Sequence, residues 1–163
     1  MGLFDKFKKA PAFPASIGAT AKGAIVPMEA IPDEVFSQGI LGPCIGIDPE
    51  EGVVYAPVDG KITQLTDTLH AIGLESNSGI EILIHVGVDT VEMNGDGFSS
   101  SLKEGDVVTK GQPLMTMDLN KIIAANHPAV VINVITNADD FAEVTPTNGV
   151  MVDVGDELFR VNK

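Results

Sequence analysis

The stretch Gly79-Ile80-Glu81-Ile82-Leu83-Ile84-His85-Val86-Gly87-Val88-Asp89-Thr90-Val91 ends an apolar strand in a histidine and sets a glycine, an acid and a hydroxyl just beyond it. A second histidine, His70, stands upstream in Thr68-Leu69-His70-Ala71-Ile72-Gly73-Leu74-Glu75-Ser76, where an alternating segment again follows a polar turn. If the two strands pair with both rings on one face, the chain builds a two-histidine site. Imidazole suits such a site as proton shuttle, nucleophile or metal ligand near neutral pH. Most histidines are merely accommodated by packing, but His85 interrupts an otherwise apolar strand, where an unpaired ring costs free energy unless it is hydrogen-bonded or faces a cleft. Gly87 can offer a carbonyl, and Asp89 and Thr90 follow within a turn. An acceptor on one ring nitrogen fixes the tautomer and leaves the other lone pair free to attack.

Outward from this run, 17 glycines and 10 prolines punctuate short segments rich in valine and isoleucine, and sustained helical periodicity is nearly absent. Strands are predicted at 24–26, 44–48, 53–56, 61–65, 71–75, 81–85, 114–118, 130–136, 150–152 and 158–161. One short helix is predicted at 119–125, entered through Asp118 and closed before Pro128. Turn signatures recur. Ala56-Pro57-Val58-Asp59-Gly60-Lys61-Ile62 resembles Thr145-Pro146-Thr147-Asn148-Gly149-Val150-Met151, and Glu104-Gly105-Asp106 resembles Val154-Gly155-Asp156. The expectation is an all-β chain with an internally duplicated sandwich or barrel.

The 163 residues fit one domain with a core of its own. Cys44 has no partner for a bridge, no secretory signal pattern opens the chain, and no apolar run nears the roughly 20 residues of a bilayer span. A cytoplasmic protein is expected. A net charge of −13 disfavours nucleic acid and suits a basic protein partner. Residues 1–20 read as a tail and 21–163 as the domain. In the tail Leu3, Phe4 and Phe7 interleave with Lys6, Lys8 and Lys9, a pattern suited to weak contact with anionic lipid.

Other motifs are quieter. His127 lies in the turn Asn126-His127-Pro128 and is expected to be structural. Cys44 precedes an apolar segment and reads as a small buried hydrophobe. Gly95-Asp96-Gly97-Phe98-Ser99-Ser100 lacks the third glycine of a dinucleotide fingerprint, and neither Asp139-Asp140 nor Asp48-Pro49-Glu50-Glu51 has calcium-loop spacing.

Taken together, the 79–91 run, Ile31-Pro32-Asp33-Glu34-Val35-Phe36, Ala56-Pro57-Val58-Asp59-Gly60, His70-Ala71 with Glu75-Ser76, Thr90-Val91-Glu92, Gly95-x-Gly97-Phe98 and 105–114 resemble, in order, the glucose-type enzyme IIA of the bacterial phosphoenolpyruvate-dependent sugar phosphotransferase system. The likeness runs from about Gly23 to the C-terminus, and the two histidine motifs at their separation are its most specific part. It implies an antiparallel β-sandwich with a duplicated barrel-like motif, at most short helices, and a shallow depression holding both imidazoles. It also implies roles in phosphoryl transfer. His85 would accept the phosphoryl group from the phosphocarrier HPr and pass it to the IIB domain of a sugar permease. His70 would stabilise the phosphoryl oxygens, helped by Thr68, and Asp89 would orient the site or meet basic groups of HPr. Val35, Phe36, Ile40, Leu41, Leu83 and Val91 match an apolar docking ring. No cofactor is required, and the sugar, glucose or a related one, stays open. The chain departs from the family at Pro43-Cys44, where Asp-Gly is usual, and at Thr66, where an aromatic is common.

Three other functions compete. His70 and His85 could ligate zinc, but two histidines leave the set incomplete unless a partner supplies more. The 105–114 segment also resembles biotinyl and lipoyl carriers, yet no lysine here has their hairpin-tip setting. A regulatory binder of transporters or kinases is compatible with transfer.

Overall fold

The computed structural model describes residues 13–163. Their short valine- and isoleucine-rich segments form fourteen strands: β1 (Ala15–Gly18), β2 (Gly23–Val26), β3 (Cys44–Pro49), β4 (Val53–Tyr55), β5 (Gly60–Leu65), β6 (Ala71–Ser76), β7 (Glu81–Val86), β8 (Phe98–Ser99), β9 (Val107–Val108), β10 (Pro113–Met117), β11 (Val131–Ile135), β12 (Glu143–Pro146), β13 (Met151–Val152) and β14 (Glu157–Asn162). Two short helices, α1 (Glu34–Ser37) and α2 (Leu119–Ala124), join them. An eight-stranded sheet runs β13-β2-β3-β11-β7-β6-β5-β9, and two three-stranded sheets run β1-β14-β12 and β4-β10-β8. Every pairing is antiparallel. The fold class is the expected all-β architecture.

The ten predicted strands are present, most within a residue or two of their expected ends. Strands β1, β8, β9 and β12 and helix α1 were not predicted. The tail boundary at residue 20 is corrected: Ala15–Gly18 is a strand whose Ala15, Ser16 and Ile17 register with Val161, Arg160 and Phe159 of β14, so the folded domain begins before residue 20. The amphipathic segment ahead of it lies outside the described residues.

Alternation in β7 sends Ile82, Ile84 and Val86 into the main core and turns Glu81, Leu83 and His85 to the other face. Strand β11 is buried on both faces, which explains its apolar run, interrupted only at Asn133. Val131 and Ile135 join the main core, while Ile132 and Val134 form a second cluster with Ile31, Phe36, Cys44, Val88 and Val130. This second cluster lies beneath α1 and floors the histidine site. The polar interruption of β11, Asn133, is satisfied: Thr20 Oγ1 donates to its Oδ1 at 2.7 Å, and its Nδ2 donates to the Ile45 carbonyl at 3.2 Å.

The duplication is clearest in two aspartate turns. Lys103 N donates to Asp106 Oδ2 at 3.0 Å, as Asp153 N does to Asp156 Oδ2 at 2.8 Å. Gly105 N and the Asp106 carbonyl bracket Ile62 at 2.8 and 2.9 Å; Gly155 N and the Asp156 carbonyl bracket Ala19 at 3.1 and 2.7 Å. The two glycines hold φ of +92° and +88°, which their lack of a Cβ permits. The same device thus fastens Ile62 within β5 and Ala19 just past the end of β1. The resemblance between 56–62 and 145–151 is looser, because Gly60 opens β5 within the large sheet whereas Gly149 lies in the loop before β13.

Candidate functional site

Register puts His85 opposite Ala71, so the turn before β6 delivers His70 beside the end of β7. The Val86 N–H donates to the His70 carbonyl at 2.7 Å and fastens the two segments. The imidazoles meet edge to face, with centroids 5.2 Å apart and planes at 76°. The structure therefore brings together the pair that the sequence predicts.

His85 is held from one side. Its Nδ1 lies 2.7 Å from the Gly87 carbonyl, an acceptor, so Nδ1 carries the proton and Nε2 keeps its lone pair. Gly87 can make this contact because it sits at φ +77°, in a space where a Cβ would approach the Pro128 carbonyl to 2.9 Å and collide with the Thr90 side chain. The buried Thr90 hydroxyl donates to the Val86 carbonyl and pins the same turn. Asp89, exposed and at φ +59°, precedes the short 3₁₀ turn Thr90–Met93, and its side chain makes no capping hydrogen bond there.

Burial pushes His85 below its ordinary value of 6.5, against the upward pull of the Gly87 bond and of the charges on Asp33 and Asp89. His70 is likewise lowered, first by burial and then by repulsion from His85. Both rings therefore favour the neutral form. His70 Nδ1 is 2.5 Å from Thr68 Oγ1. With the Thr68 hydroxyl donating, His70 carries its proton on Nε2, as a donor to an incoming oxyanion must.

Of the predicted docking residues, Val35, Ile40, Leu41 and Val91 are 43, 64, 41 and 47% exposed, and Leu83 is half-buried. Phe36 is corrected. It is only 5% exposed and packs its ring 5.0 Å from that of His85, so it offers a partner little surface and instead props the imidazole. Its place follows from the cap of α1, where Asp33 accepts from Val35 N at 2.9 Å and turns Phe36 inward. Asp33 is the site residue that sequence reasoning missed as such. Its signal was an acid directly after Pro32 and before a helical tetrapeptide.

Cys44 is buried, donates its S–H to the Phe36 carbonyl at 3.0 Å, and has its thiol pushed up to about 11 by burial, which suits packing and not nucleophilic attack. His127 stands apart, 3.7 Å from Glu92. Among the described residues no group of three or more His, Cys, Asp or Glu gathers to hold a metal. No helix among them is long and apolar enough to cross a membrane. A cleft of about 450 Å³ lined by Ile25, Met28, Pro43, Ile45, Pro146 and Asn148 lies away from the imidazoles. The two half-buried histidines thus offer a free Nε2 lone pair and a neighbouring N–H donor, an arrangement able to take up a small electrophilic anionic group.

Comparison with known proteins identifies the family of the chain. The family described as phosphoenolpyruvate-dependent sugar phosphotransferase system, EIIA 1, matches residues 15–141. The glucose-specific EIIA component of Bacillus cereus is 43% identical over 147 residues, covering 90% of this chain and 89% of that protein. The β-glucoside-specific EIIBCA component of Bacillus subtilis is 42% identical over 126 residues, covering 77% of this chain but only 21% of that protein, so the chain spans about a fifth of such multidomain relatives. The glucose permease IIA of Mycoplasma capricolum superposes with a TM-score of 0.79 at 30% identity, over 90% of this chain and 94% of that one. The chain belongs to the EIIA family of the phosphoenolpyruvate-dependent sugar phosphotransferase system, whose members are phosphoryl carriers.

Proposed function

We propose that His85 Nε2 is the phosphoryl acceptor of this carrier. The observation that carries the reading is the Nδ1–H bond to the Gly87 carbonyl, which leaves the Nε2 lone pair available beside a second imidazole. In the uptake step the Nε2–P bond forms as the N–P bond of the phosphorylated histidine of HPr breaks. The neutral acceptor has no proton to lose at Nε2, so no general base is needed, and Asp89 serves orientation and charge. His70 donates Nε2–H to the phosphoryl oxygens and offsets charge in the transition state. The outgoing step reverses the geometry toward a cysteine of a IIB domain, and fusion of EIIA to B and C components in the Bacillus subtilis relative supports that partner.

Val35, Ile40, Leu41, Val91 and the half-buried Leu83 would form the apolar docking rim, with Asp33 and Asp89 as its acidic edge. A permease specific for glucose or a β-glucoside is the sugar class that the relatives' names support. Such a chain would act in the cytoplasm. Zinc would enter only as an ion shared with a regulated transporter or kinase that supplies further ligands, since the described residues offer the two histidines alone.

Labelling from phosphoenolpyruvate through enzyme I and HPr tests the reading. Wild type should acquire an acid-labile, base-stable phosphate, His85→Gln should acquire none, and His70→Gln should acquire it but fail to pass it on. An unlabelled wild type with active donors would overturn the proposal.

A further inference from the structure

Thr66 closes the loop that carries His70. Its backbone N–H donates to the Ala71 carbonyl at 3.2 Å, and its carbonyl accepts from Leu69 N at 2.9 Å. Its hydroxyl oxygen accepts from Ala71 N at 3.2 Å and lies 3.3 Å from the Ala71 carbonyl oxygen and 3.4 Å from His70 Nδ1. A hydroxyl has one proton to give. The Ala71 carbonyl already receives the Thr66 backbone N–H, so a hydroxyl proton sent there only adds to a satisfied acceptor. At Nδ1 the same proton has work to do whenever the nearer hydroxyl, Thr68 at 2.5 Å, is engaged elsewhere. Thr68 also has a single proton. It cannot donate to Nδ1 and to a phosphoryl oxygen at once. Without a second donor, a Thr68 hydroxyl that turned to the phosphoryl group would leave Nδ1 bare, and the His70 proton could migrate to the wrong nitrogen.

We infer that Thr66 is a second positioning residue for His70, its hydroxyl holding Nδ1 as an acceptor when Thr68 turns to the phosphoryl group, so that Nε2–H stays aimed at His85. This rests on the phosphoryl-carrier reading and adds to it a hand-off between two hydroxyls. No bond to a heavy atom changes in the exchange. Both threonines are half-buried, which shields the exchange from competing water.

The test uses the full chain with Thr66→Val, which removes the hydroxyl at near-constant shape, and Thr66→Ser, which restores it. Two readouts are needed: kcat and KM for phosphoryl uptake and onward transfer, and the imidazole ¹⁵N shifts of His70 in the free and phosphorylated protein. Thr66→Val should lower kcat for onward transfer about tenfold, the weight of one hydrogen bond, with KM unchanged. The phosphorylated Thr66→Val protein should show mixed His70 tautomers, and Thr66→Ser should return both readouts to wild type. In Thr68→Val, His70 should keep its Nε2–H tautomer, held by Thr66 alone.

Wild-type kcat in Thr66→Val, a change in KM alone, or failure of serine to rescue would each overturn the inference, the last two pointing to docking or loop structure. Loss of the Nε2–H tautomer in Thr68→Val would overturn it too. Should Thr66→Val not fold, Thr66→Ala decides by the same measurements. The Thr68→Val shifts need no transfer, so they judge Thr66 even if the wild type proves unable to carry phosphate.

Discussion

The chemistry of this site comes down to which imidazole nitrogen holds a proton. At His85 the answer is set by one carbonyl, that of Gly87, 2.7 Å from Nδ1. A second proton, on Nε2, would abolish the nucleophile. Because burial holds His85 below its ordinary value, the acceptor stays neutral as pH falls through 6.5, and uptake should decline only below that point. Asp33 and Asp89 pull in the opposite direction. Asp33→Asn keeps a side chain able to cap α1 while removing a negative charge, so it should move the acid limb of the kcat/KM profile to lower pH. A limb that stayed in place would show that the Asp33 charge does not act on His85. The same shift has a stability consequence with a fixed sign. The folded rings bind protons less readily than unfolded ones, so their contribution is full above about 6.5 and lost as pH falls from there through the lowered folded values. His85→Gln should flatten part of that decline in denaturant titrations.

At the scale of elements, β7 carries His85, the proposed nucleophile, β11 supplies a floor buried on both faces, and α1 brings Phe36 against the His85 ring. Much of this was legible. An apolar run ending in His85 could be recognised as a strand end, and the spacing to His70 brought both rings to one face through the register of β6 on β7. Phe36 was not legible as a buried support. Helix α1 has four residues, too few for a 3.6-residue period to say which side faces in, and its orientation is decided by the Asp33 cap and by contacts with distant β11. Strands β8 and β9 have two residues each, and β1 follows a proline-rich segment, so none offered enough alternation to be read. The prop can be tested apart from the docking rim. Phe36→Ala should destabilise the fold by about 3–5 kcal/mol and lower kcat by freeing the His85 ring, whereas Ile40→Ala, at a residue 64% exposed, should leave stability nearly unchanged and raise KM. Urea unfolding with steady-state transfer separates the two. Equal stability losses would mean that Phe36 is no more a core residue than Ile40.

The whole molecule repeats one construction and uses it asymmetrically. Two aspartate turns of matching hydrogen-bond pattern fasten Ile62 and Ala19, yet both histidines lie on the large sheet, in the turn before β6 and at the end of β7. The repeated turns thus brace the scaffold in two places, and both site histidines sit where β6 begins and β7 ends. Rigidity matters because a carrier must meet two partners in turn with little rearrangement and release both. The proposed apolar rim is small, and the net charge is −13, so on the proposed reading long-range attraction to a basic donor would supply much of the encounter rate. That division predicts a specific salt response. Raising ionic strength from about 0.05 to 0.5 M shortens the screening length several-fold, from beyond 10 Å to less than 5 Å, and should raise KM for the phosphorylated donor while kcat holds. Asp89→Asn, which removes an exposed charge beside His85, should raise KM at low salt and reduce its further rise with salt. A kcat that fell with salt while KM stayed constant would place the charge effect on the chemical step, between His70 and the phosphoryl group, instead of on the approach of the partner.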